Sequence, residues 1–141
     1  MKKKYLARIG APFKKGEAQE YGERLEEIGK RQDLTPENIV KDGKKKTSPF
    51  NTYFEWNDTV AVKKHRLQQA RELVSGIVEV VVIEGRATEQ RSFFNVRNGT
   101  DTKYVTLQKA ISNKTYRRQL LNNLIAHLEN TTELMKMFRS Q

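Results

Sequence analysis

Cysteine is absent from all 141 residues, and with it go disulfide bridges, thiolate metal sites and thiol nucleophiles. Histidine occurs twice, His65 in a basic stretch and His127 in an apolar-striped one. No spacing pairs them on zinc or as acid and base, so both are read as structural or solvent-facing. "GKKKTS" lacks the upstream glycine that a phosphate-cradling loop requires. Long apolar runs are also missing: "MKKKYLARIGAPF" opens with charge but has no core of signal-peptide length, and no later segment reaches a membrane span. The expectation is a cytoplasmic chain without membrane contact, needing no cofactor or metal. The Asn-x-Thr triplets at Asn57, Asn98, Asn113 and Asn130 are then coincidental.

Acidic residues are in short supply too, 17 against 27 Lys and Arg, which leaves a net charge of +10. An excess of this size favours a polyanionic partner through attraction and counterion release. The charge is spread along the chain: residues 1–46 hold 13 basic and 8 acidic side chains, residues 47–141 hold 14 and 9. What is present in quantity is periodic apolar patterning, with 36% apolar residues in a chain the size of one domain.

Residues 1–16, with Gly10, Pro12 and Gly16 among five lysines, read as a flexible basic arm. Residues 17–141 read as a single α+β domain, divided into a helical subregion (17–57) and a helix, β-meander and C-terminal helix (58–141). From Glu17 to Lys30, Ala18, Tyr21, Leu25 and Ile28 recur at helical steps, with Gly22 and Gly29 as weak points. "LTPENIVKDG" is a short helix with Thr35 as cap, Pro36 in its first turn and Gly43 as a left-handed stop. Ser48-Pro49 repeats the cap-plus-proline signal, so "PFNTYFEW" is expected to be a second short helix. Asn57 or Asp58 caps the longer basic helix that follows, striped by Val60, Leu67, Ala70, Val74 and Ile77.

"IVEVVVIEG", "RSFFNVR" and "KYVTL" are expected strands of a three-stranded antiparallel meander, the residues from Gly85 to Gln90 forming a polar loop and Asn98-Gly99 a turn. A long C-terminal helix, capped by Ser112 or Asn113 and interrupted near "ENTTE", carries Tyr116, Leu120, Leu124, Leu128, Met135 and Phe138 on one face.

Two short helices around a glycine-containing turn give a helix-turn-helix-like order, which would lay its last helix in a DNA groove. In that arrangement Asn51 and Thr52 face base edges or phosphates, Lys44, Lys45 and Lys46 hold the backbone, and Phe50, Tyr53, Phe54 and Trp56 pack inward. A second basic surface comprises Lys63, Lys64, Arg66 and Arg71, with Arg117 and Arg118 from the last helix. Carboxylates at Glu55, Asp58, Glu79 and Glu84 supply the residue types of a metal-dependent nuclease, but no spacing that predicts convergence.

The blocks "LTPENIVKD", "SPFNTYFEWNDTVAVKKHRLQQARELV" and "YVTLQKAISNKTYRRQLLNNLIAHL" resemble those of a group of small uncharacterised proteins encoded by bacteriophages and prophages. The resemblance spans most of the chain from Ala18 onward and implies a phage or prophage setting in a host bacterial cytoplasm. It implies no catalytic or binding residue. The expected function is a non-enzymatic nucleic-acid-binding accessory or regulatory protein, with DNA as the polymer. The alternative is a protein-interaction or self-assembling scaffold module, joining a host or phage protein or a second copy through the sheet edge or the final helix.

Overall fold

A computed structural model of the chain describes residues 3–56 and 59–140. The elements are β1 (Leu6–Ala7), α1 (Ala18–Arg31), α2 (Pro36–Gly43), α3 (Val60–Ser75), β2 (Ile77–Ile83), β3 (Arg86–Arg91), β4 (Phe93–Asn98), β5 (Asp101–Thr106), α4 (Leu107–Ser112) and α5 (Lys114–Arg139). The architecture is α+β, with a long C-terminal helix as expected.

The helices start where short polar side chains satisfy free N–H groups. Thr35 Oγ1 accepts from Asn38 N–H at 3.1 Å, and Asn113 Oδ1 accepts from Tyr116 N–H at 3.0 Å. The caps proposed for α3, Asn57 and Asp58, lie outside the described residues; Thr59 Oγ1 accepts from Val62 N–H at 3.3 Å. Gly43 keeps a right-handed conformation. Its small size serves packing, because a Cβ there would stand 2.8 Å from the Phe54 ring. The break expected near "ENTTE" is absent: the hydroxyls of Thr131 and Thr132 donate to the carbonyls of His127 and Leu128, and α5 runs on through them.

Three corrections concern the segments of irregular appearance. The stretch expected as a mobile arm enters the fold: β1 pairs antiparallel with β2, and Tyr5 is buried, its N–H donating to Gln19 Oε1 and its hydroxyl to Glu26. The polar segment 86–91 is a strand, because Glu84 and Gly85 both take positive φ and fold β3 straight back onto β2. The sheet strands therefore group differently from a single meander. β1, β2 and β3 form a three-stranded antiparallel sheet, while β4 and β5 form a separate hairpin. Ser92 joins them, its N–H donating to Ile77 O at 3.2 Å and its carbonyl accepting from Leu107 N–H at 2.9 Å. Finally, residues 49–56 form turns instead of the expected short helix.

The main core gathers Tyr21, Leu25 and Ile28 of α1, Leu73 and Val74 of α3, Phe50 and Phe54 of the turns, and Phe93 of β4. A smaller cluster of Val96, Val105 and Ala110, covered by Phe94, Tyr116 and Leu120, fixes the root of α5.

Gly22 is buried under Tyr5, and a Cβ at this position would collide with the Tyr5 ring. An exposed helical Gly→Ala change gains about 1 kcal/mol of propensity. Overpacking against a ring anchored at both ends costs about 1–3 kcal/mol and should win. Gly22→Ala is therefore expected to lower stability in urea unfolding; a stabilised variant would show that Tyr5 moves aside freely.

Candidate nucleic-acid interface

The turns between α2 and α3 are tied down side chain by side chain. Asp42 is 2% exposed and accepts two hydrogen bonds from the Arg24 guanidinium, at 2.8 and 2.9 Å, and one from Ser48 Oγ at 2.7 Å. Ser48 Oγ also accepts from Phe50 N–H. Asn51 Nδ2 donates to Gly43 O at 3.0 Å, Trp56 Nε1 to Asn51 O at 2.7 Å, and the Tyr53 hydroxyl to Gln69 O at 2.9 Å. The rings pack edge to face, Tyr21 with Phe50 at 5.2 Å, Tyr53 with Phe54 at 5.1 Å and Phe54 with Trp56 at 5.7 Å. These anchors explain why Ser48-Pro49 starts turns: its serine is drawn toward Asp42, Phe50 and Phe54 turn into the core and Tyr53 packs against it, whereas Trp56, expected to pack inward, stays exposed with its edge on Phe54.

The site residues read from the sequence are sorted by this arrangement. Lys44, Lys45 and Lys46 are exposed on the turn after α2, Lys45 reaching Asp42 at 4.0 Å. Thr52 is exposed beside His65 in a cleft of about 460 Å³. Asn51 is half-buried and its amide is spent on Gly43, so it does not present its donor to a base edge. Without a helix at 49–56 there is also no recognition helix, and the helix-turn-helix order is not completed.

On α3, Lys63, Lys64 and Arg71 are exposed, and Lys64, Gln68 and Arg71 follow one another at helical steps on the outer face. Arg66 is a correction. It is 6% exposed, donates to Glu55 O at 2.9 Å and lies 5.1 Å from the Trp56 ring centre, so it braces the turns from below. Its position four residues before Ala70 and seven before Leu73 already places it on the buried face.

Arg117 and Arg118 are exposed at the start of α5, Arg117 donating to Ile111 O at 3.0 Å. That helix packs on α4 and β4, whereas α3 packs on α2 and β2, so the arginines of α5 belong to a different part of the surface.

Arg91 of β3 is a residue that reading for basic runs passed over. Burial raises the Tyr104 phenol pKa, and the charges of Arg71 and Arg91 oppose that shift. Arg91 also lies 6.0 Å from the Phe94 ring centre. Arg91 has no basic neighbour in the sequence to mark it.

Among the described residues no group of three His, Asp or Glu side chains is placed to hold a metal ion. Glu79 stands within β2 and Glu84 in the turn that follows it, and Asp58 lies outside the described residues. A cleft of about 1000 Å³ between the β4–β5 hairpin and α5 is lined by Asn95, Asn98, Asn122 and Asn123. Gln119 closes one of its walls, its Oε1 accepting from Arg97 N–H at 2.8 Å and its Nε2 donating to Arg97 O at 2.7 Å. No helix among the described residues is long and apolar enough to cross a membrane. Comparison with protein-family models, with curated proteins and with solved structures gave no match.

Proposed function

We propose that this chain is a non-enzymatic nucleic-acid-binding accessory protein, acting on DNA in the cytoplasm of a phage- or prophage-bearing bacterium. Phosphates run along the outer face of α3, held by Lys63, Lys64 and Arg71, with Lys44 and Lys46 of the neighbouring turn and Arg91 at its border. The observation that carries the reading is the exposure of these cations without neutralisation. Among the described residues, no carboxylate lies within ion-pair distance of Lys44, Lys46, Lys63, Lys64 or Arg71, in a chain of net charge +10. Solvated cations on a firm scaffold suit phosphate contact, since releasing the counterions of the polyanion drives binding.

The test is a titration against duplex and single-stranded DNA at about 50 and about 200 mM salt, a range over which several phosphate contacts change affinity by orders of magnitude. Binding is expected at the lower salt and should weaken steeply at the higher. The variant with Lys63→Ala, Lys64→Ala and Arg71→Ala should bind less tightly at low salt. Its log–log salt slope should be shallower by about 2–3, at roughly 0.9 per lost duplex contact. Absence of binding at low salt overturns the function, and an unchanged slope in the triple variant overturns the assignment to α3.

A further inference from the structure

We infer that α5 is a dimerisation helix whose occupant is the same helix of a second copy of this chain. Only its first two turns are fastened, through Tyr116, Gln119 and Leu120, and the remaining 20 or so residues continue for about 30 Å with no buried side chain. Along this free length Leu121, Leu124, Leu128, Thr131, Met135 and Phe138 follow steps of three and four residues, flanked by Ile125 and Leu134. Such a stripe is complementary to its own copy at a shallow crossing angle.

Three observations favour a second copy. The seven large apolar side chains of this face are 45–75% exposed. Together they offer roughly 400–500 Å² of apolar surface, at about 100 Å² for each such side chain. A stable dimer buries about 800 Å² per partner, of which about 65%, roughly 520 Å², is apolar, so one stripe supplies most of that apolar area. The face is also uncharged at its centre. Glu129 and Glu133 project from the opposite side of the helix, Lys136 lies at the margin of the face and Arg139 at its C-terminal end, and residues 120–140 hold two acidic and two basic side chains within a chain of net charge +10. Two copies therefore meet on the segment where they repel one another least. Thr131 within the stripe and its neighbour Thr132 donate to carbonyls of their own helix at 2.8 and 2.9 Å, so covering them strands no hydroxyl, and His127 stands at the edge of the stripe beside Leu134.

The association does not depend on the nucleic-acid reading and is measured without nucleic acid. In sedimentation velocity at about 10 µM, where standard interfaces with micromolar or tighter affinity are populated, the full chain should run at twice the chain mass. The Leu124→Lys, Leu128→Lys double variant should run at the chain mass. Its near-UV signal from the core rings should be unchanged, because neither leucine belongs to a core cluster. A wild-type chain that stays monomeric up to about 100 µM, or a double variant that folds and still dimerises, overturns the inference.

Discussion

Asp42→Ala is expected to lower stability by about 3–5 kcal/mol, the range for removing one partner of a buried ion pair. The effect is large because the carboxylate serves three elements together: Arg24 of α1, its own helix α2, and Ser48 of the turns. Its loss leaves the Arg24 guanidinium, whose side chain is only 20% exposed, without its two-pronged partner, and releases Ser48 from its place. Urea unfolding at neutral pH measures the loss; a change below about 1 kcal/mol would mean that the pair only breaks even against solvation.

The same carboxylate fixes a pH dependence. Burial pushes the Asp42 pKa up, but hydrogen bonds from Arg24 and Ser48 and the charges of Arg24 and Lys45 outweigh it, so the group titrates below its ordinary range. A depressed carboxylate pKa stabilises the fold fully above the unfolded value of about 3.9, and that contribution is lost as pH falls through the lower folded value. The wild-type chain should therefore lose stability on acidification below about pH 4 more steeply than Asp42→Asn does.

Phe50→Ala should cost a similar amount, about 3–5 kcal/mol, through lost transfer energy and the cavity left behind. Phe50 is fully buried, edge to face with Tyr21, in the middle of the segment without regular structure. Because turns 49–56 have no helical ladder, their position depends on this ring and on a few side-chain hydrogen bonds. The urea midpoint and the near-UV signal of Tyr53, Phe54 and Trp56 should both fall. Retention of the near-UV signal would show that the hydrogen bonds alone hold the turns, and a loss under about 1 kcal/mol would show that the cavity collapses.

Much of the fold is written locally. The stripe of α1, the Thr35-Pro36 start of α2, the Asn113 cap and the β-branched run of β2 depend on neighbours within a few residues, and each was legible in the sequence. What escaped depends on distant partners. Leu6 and Ala7 become a strand only because Ile77 and Val78 present an open edge some 70 residues later. Segment 86–91 has no apolar alternation to announce it, since its side chains are exposed or half-buried and the ladder with β2 holds it. Ser48-Pro49 carries the same letters in a turn as at a helix start, and buried Asp42 decides between them. At the candidate interface, the exposure of Lys63, Lys64 and Arg71 follows from periodicity. Arg66 belongs to a basic run, yet its spacing from Ala70 and Leu73 marks it as inward, and Arg91 has no basic neighbours to mark it.

The amide of Gln119 has a consequence for how the molecule behaves in a crowd. Its oxygen and nitrogen occupy the N–H and C=O of Arg97, the groups through which an additional strand would begin to pair with the outer edge of β4. A bare edge is a template for aggregation. Here the side chain imitates the missing strand near the turn end of β4, and it comes from a helix fixed by its own small core, so the hairpin is closed to edge-on polymerisation where α5 crosses it.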